Sequence, residues 1–268
     1  MRNPIRNAIN SLFHDPRHIL VAILHRMPWL MPNDAQYLRV IYRLHFGKKL
    51  NLQDPITFSE KIQWLKLYDH NPLYTTLVDK LRVKKYVAQR IGAKYVIPII
   101  AEWDLPLDVK WDVLPEQFVI KTNHDGGGHG IVICKDKSAF SISKAQKELN
   151  YSFSHNSYMG GREWPYKNVP RKVFAEQYLS DLNGELKDYK FFCFNGKVRC
   201  FKVDFNRQIN HQANYYDTQC QLLPYGETVC PPDFGADIQI PDNIHEMRTL
   251  AEKLADGLPF VRIDLYNV

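Results

Sequence analysis

The run Lys121-Thr122-Asn123-His124-Asp125-Gly126-Gly127-Gly128-His129-Gly130 places one lysine ahead of a glycine-rich loop. Glycines between two strands expose backbone N–H groups that can cradle an oxyanion or a phosphate. The run is not a Walker A loop, because G-x-x-x-x-G-K-[ST] is missing and β-branched strand formers follow Gly130 where a helix should start. A hairpin of this type can fold over a nucleotide as a lid, with Lys121 reaching in from its strand; an ordinary glycine-rich turn gives the same pattern.

Three further segments carry charge on otherwise apolar strands. Period-two alternation over Phe260–Tyr266 sets Val261, Ile263 and Leu265 on one face and Phe260, Arg262, Asp264 and Tyr266 on the other. An arginine beside a carboxylate there either forms an internal ion pair or meets a ligand, and ATP with magnesium supplies both a polyanion and a cation. In the same way Asp188 and Lys190 share a face opposite Tyr189 and Phe191. Glu176 closes a strand ahead of Gln177, Tyr178 and Leu179, whose backbone groups could read an adenine edge. His124 and His129 flank the glycines without a third ligand at convincing spacing, so polar loop contacts explain them better than a metal.

The elements that must hold these groups are legible in outline. From Pro4 to about residue 50, apolar residues recur at helical spacing, broken by Pro16, Pro28 and Pro32, which predicts short helices. Thr57-Phe58-Ser59-Glu60 opens another helix that Asn71-Pro72 stops, and a further helix is predicted from about Tyr74 to Ile91 with Gly92 past its end. After Pro98 strands take over: Gln117–Thr122 and Gly130–Cys134 form a hairpin, and Lys172–Glu176 is a further strand. Two apolar runs meet at Asn195-Gly196, a type I′ hairpin signal. Asp242 is expected to cap a helix that ends at Gly257.

Bulk properties set the class. With 268 residues and 45% hydrophobic content the chain can bury one large core or two modest lobes. Residues 1–50 hold eight Lys/Arg against two acids, so this segment alone accounts for the net charge of +6. A nucleic-acid binder would spread its charge, whereas this layout suits a basic arm that docks on an acidic membrane surface or protein, or a solvated helical face. Five cysteines without a C-x-x-C pair fit neither a disulfide framework nor a zinc site. The expected location is therefore cytoplasmic, with a peripheral position at the inner membrane surface as an option, since the run Ile19–Leu24 is too short to span a bilayer.

The order of these motifs carries a resemblance. Asp79-Lys80, the lysine and glycine hairpin, Ala175-Glu176-Gln177-Tyr178, the run Asp188-Tyr189-Lys190-Phe191-Phe192-Cys193-Phe194-Asn195-Gly196 and Val261-Arg262-Ile263-Asp264-Leu265-Tyr266 follow one another as in the TupA-like ATP-grasp family. Together with Phe58-Ser59-Glu60-Lys61-Ile62-Gln63-Trp64-Leu65-Lys66 they make the sequence similar to that family over about residues 50–268. The resemblance implies an α+β ATP-grasp fold, in which two α+β lobes clasp ATP behind a helical N-terminal region. The expected division is a basic helical segment over 1–50, a mainly helical part over 51–115, a small lobe with the glycine lid over 116–180 and a C-terminal lobe over 181–268.

Carried over residue by residue, the resemblance implies that Lys80 and Lys121 contact phosphates or the adenine under a lid of Gly126, Gly127, Gly128, His129 and Gly130. Glu176, Gln177 and Tyr178 would form the adenine hinge and Asp188 would lie near the ribose. Lys190 and Arg262 would stabilise charge and Asp264 would bind Mg2+. ATP-grasp enzymes mostly join a carboxylate to an amine through an acyl-phosphate, and TupA-like proteins are associated with cell-surface polymers. The implied partners are thus ATP, a carboxylate-bearing saccharide precursor and an amino acid. Family members continue past the final strand into a Gly-Glu-Leu-Thr type strand whose glutamate is expected to bridge the metals; this chain ends at Val268, so an incomplete C-terminal lobe is expected. Two other readings stand beside the ligase: a nucleotide-binding pseudoenzyme or scaffold, and a glycosyltransferase, against which the lack of any Asp-x-Asp pair counts.

Overall fold

The computed structural model describes residues 17–126, 128–180, 186–207 and 209–268. It is a mixed α+β protein. In chain order the elements are α1 (Arg17–Arg26), a 3-10 turn (Pro28–Leu30), α2 (Asp34–Phe46), α3 (Phe58–Tyr68), α4 (Leu73–Val78) and α5 (Arg82–Ile91). Then come β1 (Ile99–Trp103), β2 (Phe118–Thr122), β3 (Ile131–Cys134), α6 (Ile142–Ser154), α7 (Ser157–Gly161) and β4 (Val173–Gln177). The chain closes with β5 (Asp188–Phe194), β6 (Lys197–Phe205), β7 (Gln212–Tyr216), α8 (Ile244–Ala255) and β8 (Phe260–Tyr266).

Contacts divide the chain into two compact units, the first formed by residues up to Val83 with Ile99–Glu176, the second by Lys84–Pro98 with Gln177–Val268. In the first unit the sheet order is β1-β4-β2-β3. Phe118 and Ile120 of β2 and Val173 and Ala175 of β4 bury their side chains with Leu149 of α6. A smaller core of Tyr37, Leu38, Tyr42, Leu50 and Leu52 ties α2 to the chain that follows it. Asn33 caps α2 by accepting the Gln36 N–H, and Gly47 ends it at φ 67°, a left-handed conformation that favours glycine. Thr57 and Glu60 form the reciprocal capping box that starts α3.

The helix predicted over Tyr74–Ile91 is split. The Asp79 carboxylate accepts from the N–H groups of Leu81 (3.0 Å) and Arg82 (3.2 Å), which caps α5 and ends α4 at Val78. Lys80 therefore sits in a break, where a side chain can leave the helix axis. Residues before Arg17, where Ile5, Ile9, Leu12 and Phe13 suggested the first helix, lie outside the described residues.

The second unit holds the sheet β7-β6-β5-β8. Tyr189, Phe191 and Cys193 of β5, Phe201 and Val203 of β6 and Met247 and Ala251 of α8 make its core, with Val261, Ile263 and Leu265 packed against it as the alternation predicted. Asn195 and Gly196 both take positive φ (49° and 74°), the signature of the type I′ turn between β5 and β6. Asn243, and not Asp242, occupies the N-cap position of α8, without a side-chain cap bond.

Candidate functional site

Lys80 is built into the first unit by its surroundings. Its N–H donates to the Asn123 carbonyl (3.0 Å), and its ammonium donates to the carbonyls of Thr122 (3.3 Å) and Asp125. Asn123 is fixed in turn: its amide donates to Asp79 and to the Pro170 carbonyl (both 2.9 Å) and accepts from the Lys172 N–H (2.8 Å). Burial, and then the charge of Lys121, push the Lys80 ammonium down to about 8. Lys121, on the neighbouring strand β2, pairs with the buried carboxylate of Glu176 at the end of β4. Two ammonium groups thus lie close enough to repel, with one carboxylate engaged beside them.

The glycine loop is anchored at both ends. Asp125 accepts from the Gly126 N–H (2.8 Å) and from the hydroxyls of Ser152 (2.8 Å) and Ser157 (3.1 Å). At the other end Gly130 has φ +63°, and a Cβ there would lie 2.2 Å from Ser152 Oγ and 2.3 Å from Thr122 Oγ1, so no other residue fits. The expected cradle of free N–H groups is not what the loop presents. Gly126 N–H is bound by Asp125, His129 N–H by the Gly126 carbonyl and Gly130 N–H by Glu148, which leaves Gly128 and the exposed His129 at the tip. Gly127 lies outside the described residues. His124 is buried against the edge of Phe153, and its imidazole is held below its ordinary range by burial and then by Arg171.

Of the expected hinge residues, Glu176 is committed to Lys121. The Gln177 N–H donates to the Pro98 carbonyl (3.0 Å), so it is not the free donor that the sequence suggested. The Gln177 side chain is exposed and Tyr178 is half-buried.

In the second unit the charged residues line the sheet face opposite the core. Lys190 donates to Asp188 and to Asp204 (2.6 Å), and all three are buried. Lys202 reaches Asp204 (3.3 Å) and Glu227 (2.7 Å), and Glu227 also accepts from Tyr215 (3.0 Å). Register explains the assembly, since Asp188 pairs with Asp204 and Lys190 pairs with Lys202 on one side and with Asp264 on the other. Arg262 holds both oxygens of Asp264 (2.7 and 2.8 Å), the internal ion pair that the strand pattern allowed.

The electrostatics follow from burial and sharing. Burial raises Asp188 above the usual carboxylate range, with Asp264 adding to it and Lys190 only partly opposing it. Burial acts the same way on Asp204, but bonds from Lys190 and Lys202 outweigh it and hold that carboxyl low. Lys190 itself is raised, because the flanking carboxylates exceed the cost of its burial.

Lys202, Asp204, Glu227, Arg207 and His211 were not singled out in the sequence. A two-residue turn with regular pairing would set Lys190 opposite Phe201 and send Lys202 and Asp204 into the core. The register shifts between Phe192 and Cys193, where Phe192 faces Cys200 while Cys193 faces Val198, leaving Arg199 as the extra residue. A one-residue slip moves every following side chain to the other face. The signal was present in the alternation of Lys202 and Asp204 with Phe201, Val203 and Phe205. Arg207 then approaches Asp188 (3.7 Å) and His211 approaches Asp204 (3.3 Å).

The two charged sets differ in what they fit. Two neighbouring ammonium groups, one of them depressed by burial and then by the charge of the other, suit an anion such as a phosphate. Magnesium fits less well. Both oxygens of Asp264 are held by Arg262, Asp188 and Asp204 share Lys190, and no group of three or more His, Cys, Asp or Glu side chains placed for a metal ion occurs among the described residues. As placed, these residues do not form a metal site of their own.

A recess of about 580 Å³ in the first unit is lined by Trp29, Asn33, Asp34, Tyr158, Arg162 and Lys167 among others. Arg162 is buried there, donating to the carbonyls of Pro28 (2.8 Å) and Met31 (2.9 Å) and pairing with Asp34 (3.4 Å). Helix α7, which carries Tyr158, also sends Ser157 to Asp125, so the recess wall and the glycine loop share a support.

No curated protein matches the chain in sequence. Among solved structures it is similar to D-alanine–D-alanine ligase from Bacillus anthracis, at 17% identity and a TM-score of 0.43, over 72% of this chain and 53% of that one. The same ligase complexed with ATP aligns at 14% identity and a TM-score of 0.41, over 74% and 55%. The ATP-grasp ligase PsnB, complexed with minimal precursor, Mg and ADP, aligns at 13% identity and a TM-score of 0.35, over 97% and 60%. The chain thus spans little more than half the length of these structures. Residues 60–268 match the family described as TupA-like ATPgrasp, which is most of the chain and contains every charged group of both sets. The chain belongs to the TupA-like ATP-grasp family.

Proposed function

We propose that this protein is an ATP-dependent carbon–nitrogen ligase that activates the carboxylate of a sugar acid as an acyl-phosphate and passes it to an amine, in the assembly of a cell-surface polysaccharide. The observation that carries the reading is the buried row Lys190, Asp188, Asp204 and Lys202 beside Arg262 and Asp264, on the sheet face away from the core. Burying that many charges adds little stability over an apolar face, so such a row is better explained by chemistry.

In this reading Lys80 and Lys121 bind phosphate oxygens beneath the Gly126–Gly130 loop. Gln177 and Tyr178 meet the adenine and Asp188 lies near the ribose. Lys190 and Arg262 neutralise the charge that develops as phosphate moves to the carboxylate and later leaves, the usual way in which phosphoryl transfer is accelerated. Asp264 and Asp204 hold those two cations in place. The recess at Lys167 supports a carboxylate-bearing acceptor: its charged residues are Arg162, Asp34 and Lys167, and with Arg162 paired to Asp34 a single cation faces a single carboxylate.

The test is ADP formation by the purified chain with glucuronate or galacturonate and a mixture of amino acids. Dependence on both substrates, lost in Lys121→Ala and Arg262→Gln, is the expected result. ATP binding without any substrate-dependent ADP would instead favour the nucleotide-binding scaffold, a reading that the engaged carboxylate of Asp264 supports.

A further inference from the structure

Helix α1 and the 3-10 turn after it carry apolar residues on two sides. Leu24 and Met31 pack against the core of Tyr37, Leu38 and Tyr42. Leu20, Ile23 and Met27 recur at spacings of three and four residues along α1 and its end, Leu30 follows in the 3-10 turn, and the four are 52%, 41%, 40% and 55% exposed. Trp29 beside them is 60% exposed. This stretch is held in shape, because Met27 N–H bonds Ile23 (2.8 Å) and the buried Arg162 clamps the carbonyls of Pro28 and Met31 on either side of Trp29 and Leu30. Five large apolar side chains are therefore presented to water on a fixed backbone, where a folded chain normally covers such a group.

Charge indicates what covers it. Over residues 17–50 six Lys/Arg face one acid, Asp34, which is already bonded to Tyr158 and Arg162. Arg17 and Arg26 bracket α1, a Cβ placed on Gly47 would lie 3.8 Å from the Arg17 guanidinium, and Lys48 and Lys49 beside that glycine are exposed. We infer that this face docks on an anionic lipid bilayer, with Leu20, Ile23, Met27, Trp29 and Leu30 entering the headgroup boundary and Arg17, Arg26, Lys48 and Lys49 meeting lipid phosphates. A tryptophan at such a boundary is common, and a ten-residue helix about 15 Å long lies in the interface, since none of the described helices can span. A second copy of the chain suits the face poorly, because a two-fold contact would bring its arginines and lysines together. Trp29 also lines the recess with Asn33 and Lys167, so docking sets the mouth of the recess at headgroup level. The inference does not rest on the ligase reading and can hold if that reading fails.

The test is co-sedimentation of the full chain with vesicles of phosphatidylcholine alone and of phosphatidylcholine with phosphatidylglycerol. Wild type should bind the anionic vesicles and be released as salt shortens the screening length. Leu20→Glu with Leu30→Glu should weaken binding about tenfold or more, since one inserted leucine is worth at least that factor. Lys48→Glu with Lys49→Glu should remove the preference for phosphatidylglycerol. All four positions are exposed, and far-UV circular dichroism checks that the variants fold. Binding that ignores lipid charge, or that survives both double substitutions, overturns the inference, as does a dimer in sedimentation velocity that the leucine substitutions dissolve.

Discussion

Replacing Lys190 by Met removes the ammonium that Asp188 and Asp204 share and leaves the aliphatic stem. The side chains of the three residues are 9%, 10% and 3% exposed, so neither carboxylate can recover its charge in water without moving the strand. Breaking a buried pair by removing one partner costs about 3 to 5 kcal/mol. The lower figure applies here, because Lys202 and Arg207 still reach one carboxylate each, so the expected loss at pH 7 is about 3 kcal/mol. A control lies on the same sheet. The Lys197–Glu252 pair (3.0 Å) is exposed at 66% and 26%, and Lys197→Ala should cost no more than about 0.5 kcal/mol.

The pH dependence of the Lys190 loss has a definite sign. In the wild type Asp204 is held below its unfolded value, so its contribution is present above the ordinary carboxylate range and is lost as pH falls through the folded value. In the variant the facing pair Asp188 and Asp204 should have a raised carboxyl. That group favours the folded state when protonated, so the variant loses stability as pH rises through its new value. The second effect shrinks the deficit toward pH 5, whereas the first acts only below the ordinary carboxylate range. All five tryptophans lie in the first unit, so their fluorescence is a poor probe of this sheet. Hydrogen exchange of β5 and β6 peptides is the suitable assay, and 3 kcal/mol corresponds to roughly a hundredfold faster exchange. A deficit under about 1 kcal/mol, or one that does not narrow at pH 5, would refute the account of a desolvated, shared lysine.

Other outcomes follow from the same geometry. Gly130→Ala, with its Cβ driven into Ser152 and Thr122, should cost about 3 kcal/mol, whereas Gly128→Ala, strained in backbone but facing open space, should cost about 1 kcal/mol; thermal unfolding of the pair checks this. ATP affinity, followed by calorimetry, should fall as pH rises through about 8, where Lys80 loses its proton, and Lys80→Arg should remove that step. Without nucleotide the sign reverses: the unfolded chain keeps the Lys80 proton to higher pH than the folded one, so this residue's contribution to stability grows with pH above about 8. Asp125→Asn should loosen the glycine loop, because its oxygens hold Gly126, Ser152 and Ser157, and faster proteolysis within 124–130 would report it.

Much of the fold was legible because local rules and tertiary packing agree. The alternation in Phe260–Tyr266, the Asn195-Gly196 turn and the Thr57/Glu60 capping box each predict what forms, since each depends on neighbours in sequence. The break at Asp79 was not legible, because the carboxylate that caps α5 is also held by Asn123, 44 residues away. The second half of the charged row was masked by a single bulge on β6, because counting back from the Asn195-Gly196 turn puts Lys202 and Asp204 on the core face although their alternation with Phe201, Val203 and Phe205 points the other way. The glycine loop was legible as a hairpin but not as an anchored one, because the N–H groups of Gly126 and Gly130 are taken by Asp125 and Glu148, whose reach depends on packing around α6.

The central claim, acyl-phosphate formation by an ATP-dependent ligase, is tested most directly by following oxygen from the carboxylate. Glucuronate or galacturonate labelled with oxygen-18 in the carboxyl group is turned over with ATP and amino acids, and the inorganic phosphate released is weighed by mass spectrometry. The account predicts one labelled oxygen in each phosphate for each amide formed, with no transfer by Arg262→Gln. Amide formed with unlabelled phosphate would contradict it.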